Sequence, residues 1–209
     1  MKLIHPAYFP NIVTFGQIMH QPICWEVSDN YQKQTLRNRT YICTDRGKHM
    51  LSIPIVHVGR SNGRQKYKEV TVDNSYPWQR QHWRTLETAY RTSPYFEFYE
   101  DDIQPLYTNT FEKLMDFNLR TVSTIFECLQ LDMPKKTTEG FEERPKTMED
   151  YRHLVNAKTK LPTTMQPYVQ VFNDRHGLIP NLSILDLLFN MGPNAVSYLK
   201  QEFIPTTDG

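Results

Sequence analysis

The apolar positions of this 209-residue chain change period part-way along, and the change divides the expected structure in two. Up to about residue 75 the pattern favours short strands. Residues 2–5 read as a strand stopped at Pro6, and residues 23–27 as a second one. Between them Ile12, Phe15, Ile18 and Met19 recur at helical spacing behind Asn11, a good N-cap, which predicts a helix over 12–20. Strand, helix and strand within 27 residues form a compact crossover, so a parallel pair is expected. Residues 40–43 and 51–58 read as a hairpin around Asp45-Arg46-Gly47, with Pro54 marking an edge strand or a bulge. A turn is expected at 60–64 and a strand at 69–73, with Val70 and Val72 on one side.

From Pro77 onward the period becomes helical. Trp78, His82, Leu86, Ala89 and Tyr90 form one stripe of a helix over 78–92, with Pro77 in its first turn. Residues 95–107 are aromatic-rich and read as a short helix broken at Pro105. A long helix is predicted from about 110 to 131, with Leu114, Val122, Ile125 and Phe126 inward. Residues 134–147 are charged and interrupted by Pro, a surface excursion. Residues 150–160 hold one more short helix, 168–172 (YVQVF) a last strand, and 182–190 and 194–202 two helices split by Gly192-Pro193. The expected fold is α/β in a single domain, 1–209. Five or six strands come mainly from the first 75 residues, and the later helices cover them; α+β is the alternative.

One stretch escapes both periods. Residues 29–39, DNYQKQTLRNR, contain a single aliphatic, Leu36, among donors and acceptors that each need a partner. A polar loop between two strands is a place where anionic or hydroxyl-rich ligands are gripped. Charge agrees in part: residues 30–70 hold nine Lys and Arg against two acids, and residues 93–150 hold thirteen acids against six bases. The net charge of +1 argues against attachment of the whole molecule to nucleic acid or acidic lipid. Cys24, Cys43 and Cys128 are widely spaced in apolar surroundings and fit free thiols in a reducing compartment. No apolar run approaches a membrane span, no signal-peptide core opens the chain, and the cytoplasm is expected. The oligomeric state is left open.

Four stretches then stand out together: HPAYFPNIVTFGQI, DNYQKQTLRNRTYI, HWRTLETAYRTSPYFEFYEDDIQPLY and GLIPNLSILDLLFNMGP. In combination and order they resemble the WbqC-like family of bacterial proteins, from about residue 3 to 193. The resemblance implies a cytoplasmic enzyme of surface-polysaccharide biosynthesis that modifies or transfers a sugar, by acylation or aminoacylation of a nucleotide-linked amino sugar. His5-Pro6 stands where many members have Gln-Pro.

Candidate chemistry follows from residue type and place. Arg39 and Asn38, with Lys33, would hold an anionic substrate such as a sugar nucleotide's diphosphate; alternatively Arg39 meets an internal acid and Asn38 makes a turn. His5 ends a strand and Tyr8 precedes a helix, the usual place for substrate contacts in α/β folds, and His5 is a candidate general base. Asp186 lies among aliphatics with Ser183 on the same face; the pair would orient a base or receive an amine, or Asp186 would pair with an arginine such as Arg39. No phosphate loop, nucleophile elbow or zinc spacing occurs, so neither cofactor nor metal is expected. A small anionic substrate is the expected partner. A scaffold that docks through the aromatic segment 95–107 is a second reading. Nucleic-acid binding along Lys33 to Lys68 is a weaker third.

Overall fold

The computed structural model describes residues 1–20, 22–57, 64–159 and 165–201. Strand β1 (Lys2–Ile4), helix α1 (Ile12–His20) and strand β2 (Ile23–Trp25) form the expected crossover, with β1 and β2 parallel and Leu3 opposite Cys24. Asn11 caps α1, its Oδ1 accepting from the Thr14 amide at 2.8 Å. The hairpin is also present, as β3 (Arg39–Thr44) and β4 (Gly47–Ser52), with Cys43 opposite Lys48. Helices α2 (Trp78–Tyr90), α3 (Phe96–Ile103), α4 (Pro105–Thr108) and α5 (Leu114–Cys128) follow, with Pro105 at the break between α3 and α4. After strand β5 (Glu149–Asp150) come helices α6 (Asn173–His176), α7 (Ile184–Met191) and α8 (Asn194–Gln201). The class is mixed α/β.

The sheet is smaller than expected. It divides into a parallel three-stranded sheet, β2-β1-β5, and the separate β3-β4 hairpin. Residues 69–73 keep their alternation, with Val70 and Val72 buried, but make single bridges to Ile55 and Lys113. The same bridging holds Lys113 extended, since the Val72 amide bonds to Glu112 and the Leu114 amide to Val70. Helix α5 therefore starts later than its sequence pattern. Residues 168–172 form no strand. Val169 faces solvent while Gln170 is buried, and the Gln170 amide pairs both ways with the Ile179 backbone, at 2.9 and 3.0 Å. Strand β5 was missed because two acidic residues carry no apolar signal, and residues 152–155 are a 3-10 turn rather than the expected helix. The excursion at 134–138 is partly tied down, with the Trp25 backbone bonding to Lys136 and Thr138. The expected turn at 60–64 and strand end at 58 fall largely on residues 58–63, outside the described residues.

One apolar cluster runs from Ile4 to Leu199 and joins the N-terminal strands to the C-terminal helices. Gly192 closes α7 in the left-handed region, at φ 54°, and a Cβ there would meet the Tyr95 ring at 2.5 Å. A second, small cluster of Ala7, Leu36 and Val155 stands apart from the main core. It sits where the polar stretch 29–39 meets the loop after β1; its Leu36 lines one cavity and its Val155 a neighbouring one.

Candidate functional site

The polar stretch is woven into the molecule. The Leu36 amide donates to Val155 at 2.7 Å and the Tyr8 amide to Leu36 at 3.2 Å, while Thr35 bridges Asn156. Asn118 on α5 donates from Nδ2 to the Arg37 carbonyl and to Tyr67 Oη, whose own hydroxyl proton goes to Pro6. As a result Thr35, Leu36, Arg37 and Asn38 are all buried. Donors that look like a solvated loop in the sequence find partners in elements from four other parts of the chain.

The first cavity, about 390 Å³, lies against the start of β3 and is large enough for a small ligand. Arg39 and Lys48 line it, and among the described residues no acid does. Lys48 Nζ sits 4.5 Å from the centre of the Tyr41 ring. Arg39 is half-buried, its Nε is sealed from solvent with no acceptor, and among the described residues it forms no ion pair. Asn11, Asn156 and Asn181 add neutral polar walls. Two cations without an ion-pair partner among the described residues, with amides around them, favour an anion that also carries hydroxyls. The first amides of α1 are not available for it, since Val13 donates to Asn181 Oδ1 and Thr14 to Asn11. Tyr8 is a fully buried wall residue, its hydroxyl held by His82 Nδ1 at 2.9 Å and Tyr107 Oη at 2.8 Å. Next to it Phe9 adopts φ 38°, a rare value for a residue with a Cβ; its carbonyl is pinned by Thr40 and Ser183 hydroxyls.

The second cavity, about 260 Å³, lies across the Leu36–Val155 contact and shares Asn156 with the first. His5, Asp29 and Arg37 form its charged floor, with Arg152 and His153 also lining it. Arg37 Nη2 lies 2.7 Å from His5 Nε2 and 3.2 Å from Asp29 Oδ2, and His5 Nε2 lies 3.2 Å from the same oxygen. A guanidinium is only a donor, so His5 Nε2 accepts from Arg37, and the imidazole proton sits on Nδ1, facing the Glu26 carbonyl at 3.4 Å. Burial favours this neutral form and pulls the His5 pKa down, with the Arg37 charge adding to the effect against Asp29 and Glu26. Burial raises Asp29, but the imidazolium form of His5, the Asn30 amide and Arg37 outweigh it and hold the carboxyl below its ordinary value. Arg37 is 1% exposed, stacks 5.2 Å from the Tyr67 ring, and has no acceptor at Nε or Nη1.

The other residues singled out from sequence lie elsewhere. Asp186 does not meet Arg39. It is fully buried and accepts from Tyr168 Oη at 2.6 Å, Tyr90 Oη at 2.7 Å, Gln170 Nε2 at 3.1 Å and Asn190 Nδ2 at 3.5 Å. Burial nonetheless raises its pKa. Ser183 caps α7 through the Leu185 amide and donates to Phe9, so its hydroxyl is used inside the fold. Asn38 is buried and donates to the Ile53 carbonyl, while Lys33 is exposed; neither lines either cavity. Cys24, Cys43 and Cys128 are free, and burial pushes the thiols of Cys43 and Cys128 up to about 11 and about 12. Among the described residues no group of three or more His, Cys, Asp and Glu is placed to hold a metal ion. Nor is any described helix long and apolar enough to cross a membrane.

Residues 5–165 match the WbqC-like protein family. The chain belongs to that family. A relative of this WbqC-like protein is Rv1507c, an uncharacterized protein of Mycobacterium tuberculosis (strain ATCC 25618 / H37Rv), 26% identical over 196 residues that cover 81% of this chain and 84% of the relative. No solved structure matches. The family match begins at His5 and spans the polar stretch and the whole lining of the second cavity, whereas Ser183 and Asp186 lie beyond its end.

Sequence reasoning about this WbqC-like chain passed over Asp29, Arg37, Lys48, Arg152 and Asn156. A signal existed for Lys48, because the expected turn at 45–47 sets a register that places it diagonally across from Tyr41. Arg37 had a weaker one. It lies two residues before Arg39, but the chain is not yet a strand there, so the two guanidinium groups go to different cavities. Arg152 and Asn156 had none, since long-range folding alone brings Asn156 to Thr35 and Arg152 to Glu26.

Proposed function

We propose that this WbqC-like protein is a cytoplasmic enzyme of surface-polysaccharide biosynthesis that modifies or transfers a sugar carried on an anionic, nucleotide-type group. Acyl or aminoacyl transfer to that sugar is the reaction class we favour. The observation that carries the reading is the first cavity, which Arg39 and Lys48 line together with no acid among the described residues of its lining. Arg39 and Lys48 would neutralise a phosphate, and Asn11, Asn156 and Asn181 would take sugar hydroxyls. His5, which lines the neighbouring cavity, would handle proton transfer, with Arg37 and Asp29 as its positioning residues. Tyr8 shapes the wall, and Asp186 and Ser183 fix the helix behind it.

Thermal-shift and calorimetric titrations with nucleoside diphosphates and nucleotide sugars test this directly. At least one should raise the melting temperature, and Arg39→Ala should abolish the rise while leaving the unliganded protein folded. If no such compound stabilises the wild type, or if Arg39→Ala binds as well as wild type, the assignment of the cavity fails.

A further inference from the structure

The second cavity carries a conclusion of its own, whatever occupies the first. Its floor is a triangle of one guanidinium nitrogen, one imidazole nitrogen and one carboxylate oxygen, with sides of 2.7, 3.2 and 3.2 Å. Arg37 has five N–H donors, yet among the described residues its acceptors are His5 and Asp29 alone, both at Nη2. An almost fully buried guanidinium left in this condition is costly unless something else completes it. Nearby, Arg152 already holds Asp150 at 2.6 Å and Glu26 at 3.4 Å, so it has little charge to spare. Arg37 is therefore the group with capacity for a further acceptor.

We propose that this cavity is a proton-coupled oxyanion subsite, in which a carboxylate or phosphoryl oxygen of a ligand becomes an acceptor of Arg37 and His5 gains a proton as the ligand enters. The coupling follows from the neighbours. An oxyanion at the floor would face the lone pair of His5 Nε2 and the Asp29 carboxylate, two repulsive groups against one guanidinium. A proton on His5 turns Nε2 into a donor toward Asp29 Oδ2, 3.2 Å away, and releases the Arg37 Nη2 hydrogen it had accepted to the incoming oxygen. The groups around His5 are Glu26 on the segment after β2, Asp29 and Arg37 on the polar stretch, the Tyr67 ring at 6.4 Å, and Arg152 and His153 lining the same cavity. Of these, Glu26 and Asp29 favour the imidazolium, while Arg37 and burial oppose it. One added negative charge tips that opposition. In the loaded site His5 would thus hold a proton available to a reacting group.

The test uses an Arg39→Ala/Lys48→Ala double variant, which removes the cations of the first cavity and keeps the second. Sulfate stands in for a phosphoryl group and acetate for a carboxylate, because neither changes charge between about pH 6 and pH 8. Titration of either ion should move the His5 ring nitrogens, read by side-chain ¹⁵N spectra, from a neutral tautomer to the imidazolium. Affinity should rise by up to about tenfold for each unit of falling pH, the slope expected when one proton is taken up. Tighter binding of sulfate or of acetate then tells which oxyanion the site prefers. His5→Gln should lose most of that pH dependence, His153 being the imidazole left in the lining, and Gln32→Glu, an exposed change at the rim, should weaken binding even if Arg37→Lys fails to fold. The proposal is overturned if neither ion binds the double variant at pH 6, or if His5 stays neutral when one does. Such a failure leaves the Arg39 cavity untouched, so the two assignments stand or fall separately.

Discussion

Two buried polar clusters in this molecule each hold an aspartate and have opposite properties. At Asp186 every oxygen of the carboxylate is met, by two tyrosine hydroxyls and two side-chain amides, and none of the donors that meet it is left unpaired. At Arg37 the balance is incomplete: Nε and Nη1 lack acceptors, and a single oxygen of Asp29 lies within reach of both Arg37 and His5. Both charges are expensive to bury. The first is compensated inside the chain and adjoins neither cavity described above, while the second adjoins one. Completeness of partners separates a group that holds the fold from a group kept ready for something outside it.

The sharpest way to break this comparison is to remove the satisfied charge. Asp186→Ala strips four donors of their acceptor in the middle of the core and should cost about 3–5 kcal/mol in chemical denaturation, or prevent folding. Tyr168→Phe removes one donor and leaves three, so a loss of about 1–2 kcal/mol is expected. A near-neutral Asp186→Ala would mean that Asp186 is no anchor, and the contrast with Arg37 would dissolve.

The two carboxylates should also respond to pH with opposite sign. Burial holds Asp186 above its ordinary value near 3.8, against the pull of its four donors. The folded state therefore favours its protonated form, and this contribution to stability is present at low pH and lost as pH rises through the raised value. Asp29 is held below 3.8, so its contribution is present above that value and lost as pH falls through the depressed one. In urea unfolding from about pH 2.5 to about pH 7, the advantage of wild type over Asp29→Asn should shrink toward acid. Its advantage over Asp186→Asn should grow over the same range. Parallel trends would show that the two environments are not distinct.

The contrast also explains what could be read before the structure was known. Local features were legible: the Asn11 cap, the hairpin turn, the Pro105 break and the stripe of α2 depend on residues close in sequence. The polar stretch 29–39 was recognisable as a ligand candidate, because a run of donors with one aliphatic has no local explanation. Its division between two cavities was not. That depends on Val155 and Asn156 arriving over Leu36 and Thr35, a contact spanning about 120 positions with no signature of its own. Asp186 shows the same limit from the other side. A carboxylate among leucines looks functional until Tyr90, Tyr168 and Gln170 come to it from distant or irregular segments.

The smallest predicted effect on stability is the most telling about function. Arg39 is half-buried, has no ion pair among the described residues, and keeps an Nε with no acceptor. Replacing it with Met keeps most of its length and removes a donor that the fold never satisfied. Arg39→Met should leave the unfolding free energy within about 0.5 kcal/mol of wild type, or raise it slightly. The same variant should lose the thermal shift given by any anionic ligand of the first cavity. An arginine that can be lost without cost to the fold is held at that position by something other than folding. If Arg39→Met instead destabilises by about 2 kcal/mol or more, Arg39 belongs with Asp186 among the anchors, and the cavity loses its cation to structure.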